Sequence, residues 1–233
     1  MPNSYQHLFF DLDHTLWDFE RNAHDCLIEM HDYFKVKELG VEEADTFFEK
    51  FSEANKYYWD LLERKKITSD YIRKNRFKTA LSKLGVSIDE SFSLKMNEVF
   101  IQLLPHKKQL IEGTIEIFDY LKPKYQLHII SNGYSDMQMQ KMRSSEIDHY
   151  FIQVITNEKA NALKPEKAIF DYALNCANAS FSGSLMIGDN YEADIKGAIN
   201  ANFDTVFYNP ERKETIEKPT YDIFHLTEMK AFL

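Results

Sequence analysis

His7-Leu8-Phe9-Phe10-Asp11-Leu12-Asp13-His14-Thr15 is a short apolar run that stops abruptly at two carboxylates. Such a run, too short for a helix and closed by polar turn formers, reads as a buried strand. Residues two apart on an extended segment face the same way, so Asp11 and Asp13 can address one ligand.

Outward from this strand the rhythm is helical until about residue 104. Ala23, Leu27, Met30 and Phe34 mark a first stripe, and Phe47, Phe48, Phe51, Tyr58 and Leu62 a second. Phe77, Ala80, Leu81 and Leu84, stopped by Gly85, give a third, and Phe92, Met96, Val99, Phe100 and Leu103 a fourth. Each covers about a third of a helix surface, as in a small bundle. From Gly113 strands and helices alternate. Strands are read at 127–130, 151–155, 185–187 and 205–207, and helices at 114–121, 135–144, 165–177 and 191–201. Alternation of this kind implies an α/β fold with a Rossmann-like, doubly wound parallel sheet. The helical block is then an α-helical bundle inserted between the first two strands. The predicted domains are 1–16 plus 109–233 for the core and 17–108 for the insert. A length of 233 residues, about 1.6 ordinary domains, agrees with two.

Composition narrows the partners. Lys and Arg total 28 against 37 Asp and Glu, a net charge of −9. That opposes a nucleic-acid polymer, which needs clustered cations, but not a small anion met by a bound cation. Cys26 and Cys176 form no ligand pattern and read as buried, reduced thiols of a cytoplasmic protein. The segment from Met1 to Phe10 shows no basic leader, and no stretch suits a membrane span. Oligomeric state is not encoded in any of these features.

Ligands of open α/β sheets bind beyond the carboxyl ends of the strands. The first strand ends in Asp11 and Asp13, the second in Ser131-Asn132-Gly133, and the strand at 185–187 in Gly188-Asp189-Asn190, with Asp194 beyond. Three acids from two strands suit Mg²⁺, which takes few carboxylates and keeps waters and substrate phosphate. The plainer alternative is that Asp13 starts a turn and Asp189 or Asn190 caps a helix. Ser131, Asn132 and the N–H groups near Gly133 read as a phosphate cradle; the alternative is an Asn-Gly hairpin, which the helical run from Met137 to Met142 disfavours. Lys164 precedes Pro165 at what reads as a helix start. It is either a phosphate ligand or an exposed lysine there.

These segments resemble, in order, the four motifs of the haloacid dehalogenase superfamily phosphatases. They are Phe9-Phe10-Asp11-Leu12-Asp13-His14-Thr15, Ile129-Ile130-Ser131-Asn132, Lys164-Pro165, and Gly188-Asp189-Asn190-Tyr191-Glu192-Ala193-Asp194. The insert matches the helical cap of that superfamily. Leu16-Trp17-Asp18-Phe19, Ser131-Asn132-Gly133-Tyr134 and the stretch from Lys164 to Leu174 look closest to its pyrimidine 5′-nucleotidase branch. One departure is His14, where many relatives carry Gly.

The resemblance implies a Mg²⁺-dependent phosphatase acting on a small phosphate ester, with Asp11 as nucleophile and Asp13 as acid and base. Asp11, the backbone carbonyl of Asp13 and Asp189 would hold the metal, and Ser131, Asn132 and Lys164 the phosphoryl oxygens. Asp194 would orient metal-bound waters or Lys164. Cap closure would hinge near 16–20 and 104–113. A dehalogenase would lack Asp13, and a sugar-phosphate or phosphoglycolate phosphatase or a phosphomutase would keep it. A phosphomutase would also need cap groups; His24 stands one residue out of register for that. Trp17, Tyr134 and His14 are candidates for substrate contact. The aromatic residues near 47–59 read mainly as bundle core, and Lys65, Lys66, Arg73 and Arg76 as a solvated face or a second anion contact.

Overall fold

The computed structural model describes residues 5–233, so the leader reading is judged only from Tyr5 onward. The chain divides into two compact units, Met1–Asp18 with Lys108–Leu233, and Phe19–Lys107.

In the first unit, β1 (His7–Phe10) is followed after the excursion by α5 (Thr114–Leu121), β2 (Gln126–Ser131), α6 (Ser135–Ser144), β3 (Gln153–Thr156) and the short α7 (Asn157–Ala160). Then come α8 (Lys167–Ala177), β4 (Ser184–Gly188), α9 (Gly197–Asn200), β5 (Asp204–Tyr208) and β6 (Tyr221–Ile223). The strands form one sheet in the order β3-β2-β1-β4-β5-β6, every pair parallel. The chain runs outward from β1 to β3 and then returns to the other side at β4. Strand order therefore reverses between β1 and β4, where a doubly wound sheet opens its crevice. Phe10 is level with Ile129 and Ile187, which puts the ends of β1, β2 and β4 at one height.

Burial on both faces explains why these strands read as continuous apolar runs rather than alternating ones. On one face Phe9, Ile130 and Met186 pack with Ile169, Phe170 and Phe203. On the other, the Phe10 ring meets Phe118 edge-on at 5.6 Å.

Two of the expected helices are revised, and the strand expected at 151–155 begins at Gln153. Helix α8 begins at Lys167, not Pro165, because the Glu166 N–H closes a turn on the Leu163 carbonyl before the helix starts. The helix expected at 191–201 begins as a six-residue π-helical segment, Tyr191–Lys196, and only Gly197–Asn200 is α. Strand β6, three residues with an exposed centre, carries too weak a pattern to read from sequence.

The second unit holds α1 (Phe19–Tyr33), α2 (Ala44–Glu63), α3 (Ser69–Ser82) and α4 (Glu90–Leu103). Asp89 caps α4 by accepting from the Phe92 N–H at 2.7 Å, satisfying a donor the helix cannot pair itself. Phe47, Phe51, Phe77 and Phe100 are buried in its core, the role the helical spacing assigned to the aromatics there. Arg76 is a correction. It is buried, with its guanidinium 4.5 Å from the Phe100 ring centroid and donating to Asn55 Oδ1, and is not part of a solvated face. Tyr57 is exposed instead, and of the two thiols expected to be buried Cys26 is and Cys176, near the end of α8, is exposed. His24 bonds Asp45 within this unit at 2.7 Å. Among the described residues no helix is long and apolar enough to cross a membrane.

Candidate active site

The turn after β1 is closed by the N–H groups of Leu16 and Trp17, both donating to the Leu12 carbonyl, while the Asp11 N–H extends the sheet to the Ile187 carbonyl. His14 holds φ at 67°, a conformation that glycine adopts freely and a histidine only at some cost. The two carboxylates leave this turn for different partners. Asp11 Oδ1 accepts from the Lys164 ammonium at 2.5 Å. Asp13 accepts from Lys141 at 2.6 Å on Oδ1 and from the Gln138 amide at 2.8 Å on Oδ2. Asp13 thus belongs to a turn and also pairs with two side chains of the helix after β2.

At the end of β2 the chain enters α6, which excludes the hairpin alternative. The Gly133 N–H and the Gln138 amide both donate to Ser131 Oγ, at 3.1 and 2.6 Å. A hydroxyl has two acceptor lone pairs and one proton. With both pairs used, the Ser131 hydroxyl is left with its proton to donate, which would suit an anion. A Cβ on Gly133 would lie 2.5 Å from the Gln138 nitrogen, so only glycine admits this contact. The Gly133 N–H is therefore engaged internally and does not supply the cradle.

Asn132 has a role other than the expected cradle contact. Its Oδ1 accepts from the Lys164 N–H at 2.8 Å and its Nδ2 donates to the Lys164 carbonyl at 3.1 Å. It braces the loop carrying Lys164. That lysine is 2% exposed, which removes the alternative of a solvated residue. Its ammonium meets Asp11, Asp194 Oδ1 at 2.7 Å and the Ile130 carbonyl at 2.7 Å. Behind the loop, a Cβ on Gly197 would come within 2.8 Å of the Pro165 Cα, so glycine lets the helix approach.

At the end of β4 the capping duty falls to Asn190, whose side chain accepts from the Ala193 N–H at 3.0 Å. Asp189 is left to accept from the Thr15 hydroxyl at 3.0 Å. Asp194 folds back over the strand end and accepts from the Asn190 N–H at 3.1 Å. A Cβ on Gly188 would sit 2.3 Å from its Oδ2. Gly188→Ala should displace Asp194 and destabilise the protein by about 1–3 kcal/mol, the usual range for overpacking. Urea unfolding checks this; an unchanged midpoint would contradict it.

Asp11, Asp189 and Asp194 offer oxygen atoms that all lie within 4.8 Å of one another. Burial pushes the Asp11 carboxyl up to about 7, with Lys164 pulling it down and Asp194 and Asp13 pushing it further up. Burial likewise raises Asp189 and Asp194 to about 6 each. Lys164 remains charged, because its two carboxylate partners outweigh the burial that favours its neutral form. Asp13 moves the other way: burial is outweighed by Lys141 and Gln138, which hold it below the usual carboxylate range. One lysine does not neutralise three crowded acids, two of them buried and Asp189 half-buried. An added divalent cation would, and an all-oxygen donor set suits a hard ion such as Mg²⁺. Asp194 already serves Lys164 and the Asn190 N–H, so Asp11 and Asp189 are the carboxylates best placed to hold it.

Of the specificity candidates, Trp17 is fully buried, with the Lys141 ammonium 4.6 Å from its ring centroid. It is a support and not an open stacking surface. Tyr134 is exposed and His14 half-buried. Gln138 and Lys141 escaped the sequence reading. Their signal was present: they stand three apart on the helix after Ser131-Asn132-Gly133, a spacing that places both on one face.

A model of the haloacid dehalogenase-like hydrolases matches residues 5–202. The chain belongs to that family. Pyrimidine 5′-nucleotidase PynA of Streptococcus pneumoniae is 33% identical to this hydrolase over 97% of its chain and 93% of PynA. Pyrimidine 5′-nucleotidase YjjG of Escherichia coli is 29% identical, covering 97% and 96% of the two chains. The crystal structure of the HAD-hydrolase YfnB of Bacillus subtilis bound to magnesium superposes with a TM-score of 0.86 at 28% identity, covering 97% of each chain. The hydrolase is thus similar, along nearly its whole length, to enzymes named for phosphate-ester hydrolysis.

Proposed function

We propose that this hydrolase is a Mg²⁺-dependent phosphatase of small phosphomonoesters, with pyrimidine nucleoside 5′-monophosphates as its substrates. In this reading Met1–Asp18 with Lys108–Leu233 is the catalytic core and Phe19–Lys107 the inserted cap. The observation that carries it is that two acids of one turn each meet a buried lysine of their own: Asp11 meets Lys164, and Asp13 meets Lys141 and the Gln138 amide. In the metal-free protein burial raises the proton affinity of Asp11 and Lys141 lowers that of Asp13, the reverse of the order catalysis needs, and a bound cation beside Asp11 and a dianionic ester beside Asp13 would invert it. The likeness to PynA and YjjG supports the pyrimidine assignment.

Asp11 attacks phosphorus with a carboxylate oxygen, forming an aspartyl-phosphate as the ester P–O bond breaks. Asp13 gives its proton to the departing oxygen. A dianionic ester beside Asp13 raises its proton affinity by like-charge repulsion, so the proton is taken up as substrate binds. Asp13, now a carboxylate, then takes a proton from the water that attacks the phosphoryl group. The phosphorus bond to Asp11 breaks, and the nucleophile and phosphate are released. Lys164 and the Ser131 hydroxyl hold phosphoryl oxygens, while Asn132 and Asp194 hold Lys164. Mg²⁺ would be held by Asp11, the Asp13 carbonyl and Asp189, and would supply positive charge to offset that of the nucleophile and the ester. The second acid also separates this chemistry from dehalogenation, where the departing halide needs no proton.

Phosphate release from a panel of nucleoside monophosphates, sugar phosphates and phosphoglycolate, with Mg²⁺ and with EDTA, tests the proposal. Pyrimidine monophosphates should exceed the other esters by about 10-fold or more in kcat/KM, the discrimination a few pocket contacts provide. EDTA should abolish release. Preference for a sugar phosphate or phosphoglycolate would discard the nucleotide assignment, and no release at all would discard the phosphatase.

A further inference from the structure

We propose that Lys141 and Gln138 are positioning residues that hold the Asp13 carboxylate in line for proton transfer, and that Gln138 also fixes the Ser131 hydroxyl as a phosphoryl donor. The assignment rests on the phosphatase reading above. Its basis is geometric. Each Asp13 oxygen receives one hydrogen bond, Oδ1 from Lys141 at 2.6 Å and Oδ2 from Gln138 at 2.8 Å. Two donors on two oxygens fix both the place and the plane of the carboxylate. A carboxylate has about four lone-pair sites, so sites are left to carry the catalytic proton.

The same Gln138 nitrogen donates to Ser131 Oγ at 2.6 Å. An amide nitrogen has two hydrogens, and each has a partner here. One side chain thus ties the group that handles the leaving oxygen to the group that holds the phosphoryl. A shift of about 1 Å in such a group costs on the order of 10²-fold in rate.

Burial argues in the same direction. The Lys141 side chain is 3% exposed, and Gln138 is wholly buried. Burying an ammonium is costly unless a specific partner repays it. Here the Asp13 carboxylate takes the charge and the Trp17 ring receives it from below. A lysine serving only to fill the core would be replaced without loss by an apolar chain. Asp13 itself is 26% exposed in its side chain, so removing Lys141 does not strand a fully buried charge. Lys141→Met, which keeps the unbranched stem, should therefore fold.

The test separates leaving-group chemistry from phosphate binding. kcat/KM reports on steps up to aspartyl-phosphate formation, when the leaving oxygen departs. A nucleoside leaves as an alkoxide and needs the Asp13 proton; p-nitrophenolate does not. Lys141→Met should lower kcat/KM for a pyrimidine nucleoside monophosphate about 100-fold and for p-nitrophenyl phosphate less than about 5-fold, with KM within about 3-fold of the parent. Gln138→Leu should show the same asymmetry and, through Ser131, a raised KM for both esters. Equal losses on the two esters in Lys141→Met, or no loss on either, would overturn the proposal.

A crystal structure of Lys141→Met gives an arm independent of turnover. The Asp13 carboxylate should rotate away from its place in the parent; an unmoved carboxylate would overturn the assignment. If the parent protein hydrolysed no ester, the proposed function would fall, and this comparison alone would decide the role of Lys141.

Discussion

Asp11→Asn protein is expected to fold normally and to release no phosphate, its turnover reduced by about 10⁴-fold or more, the scale of deleting a covalent nucleophile. The amide keeps an oxygen for the Lys164 ammonium to donate to, and that ammonium keeps Asp194 and the Ile130 carbonyl. The local structure therefore has no reason to open. What disappears is a nucleophilic oxygen and one of three crowded acidic groups. Because burial and Asp194 together push the Asp11 carboxyl up to about 7, its ionised form is held at a cost in metal-free protein. At pH 8 without metal the variant should unfold at a higher urea concentration than the parent, a gain of stability where activity is lost. Turnover at a normal rate by sequence-verified Asp11→Asn protein would refute the role of Asp11 as nucleophile.

Lys164→Met is expected to be the most damaging single change in the molecule. It removes the ammonium between Asp11 and Asp194 and leaves two buried carboxyls facing each other. Breaking a buried ion pair by deleting one partner costs about 3–5 kcal/mol. The sign of its pH dependence follows from linkage. Asp11 and Asp194 already have raised proton affinities in the folded protein, about 7 and 6, and losing Lys164 raises both further. Above about pH 4 the unfolded chain has released these protons while the folded variant retains them. Stability of the variant therefore falls as pH rises from about 4, and the loss is complete only above the folded values, beyond 7. Urea unfolding should show a larger deficit against the parent at pH 8 than at pH 5. An equal deficit at both values would mean that lost packing, and not charge, is responsible. Phosphate release should be lost at either pH.

The expected α/β architecture was legible because strands buried on two faces must be apolar throughout, and Leu8-Phe9-Phe10, Ile129-Ile130 and Leu185-Met186-Ile187 are. The residues ending those strands were legible for a related reason. Asp11, Ser131 and Asp189 stand where the apolar pattern stops, and parallel pairing carries such positions to one edge. The two-residue spacing of Asp11 and Asp13 put both on the turn after β1, where the structure gives each a separate lysine partner.

Partnership was not legible. The stem of a lysine reads the same on a solvated helix as in a core, so nothing local marked Lys141 as the partner of Asp13, 128 residues away. Arg76 escaped for the same cause, its charge buried among phenylalanine rings. Asn132 was recognised by its place after β2, yet only the folded loop reveals that both ends of its amide hold the backbone of Lys164. The sequence by itself determined which residues stand at the strand ends, because hydrophobic patterning is a local property of the chain. Only the tertiary structure decided which of them touch and which carboxyls share a cation. Hydrogen bonds and charge pairs act over a few ångströms and take no account of separation along the chain.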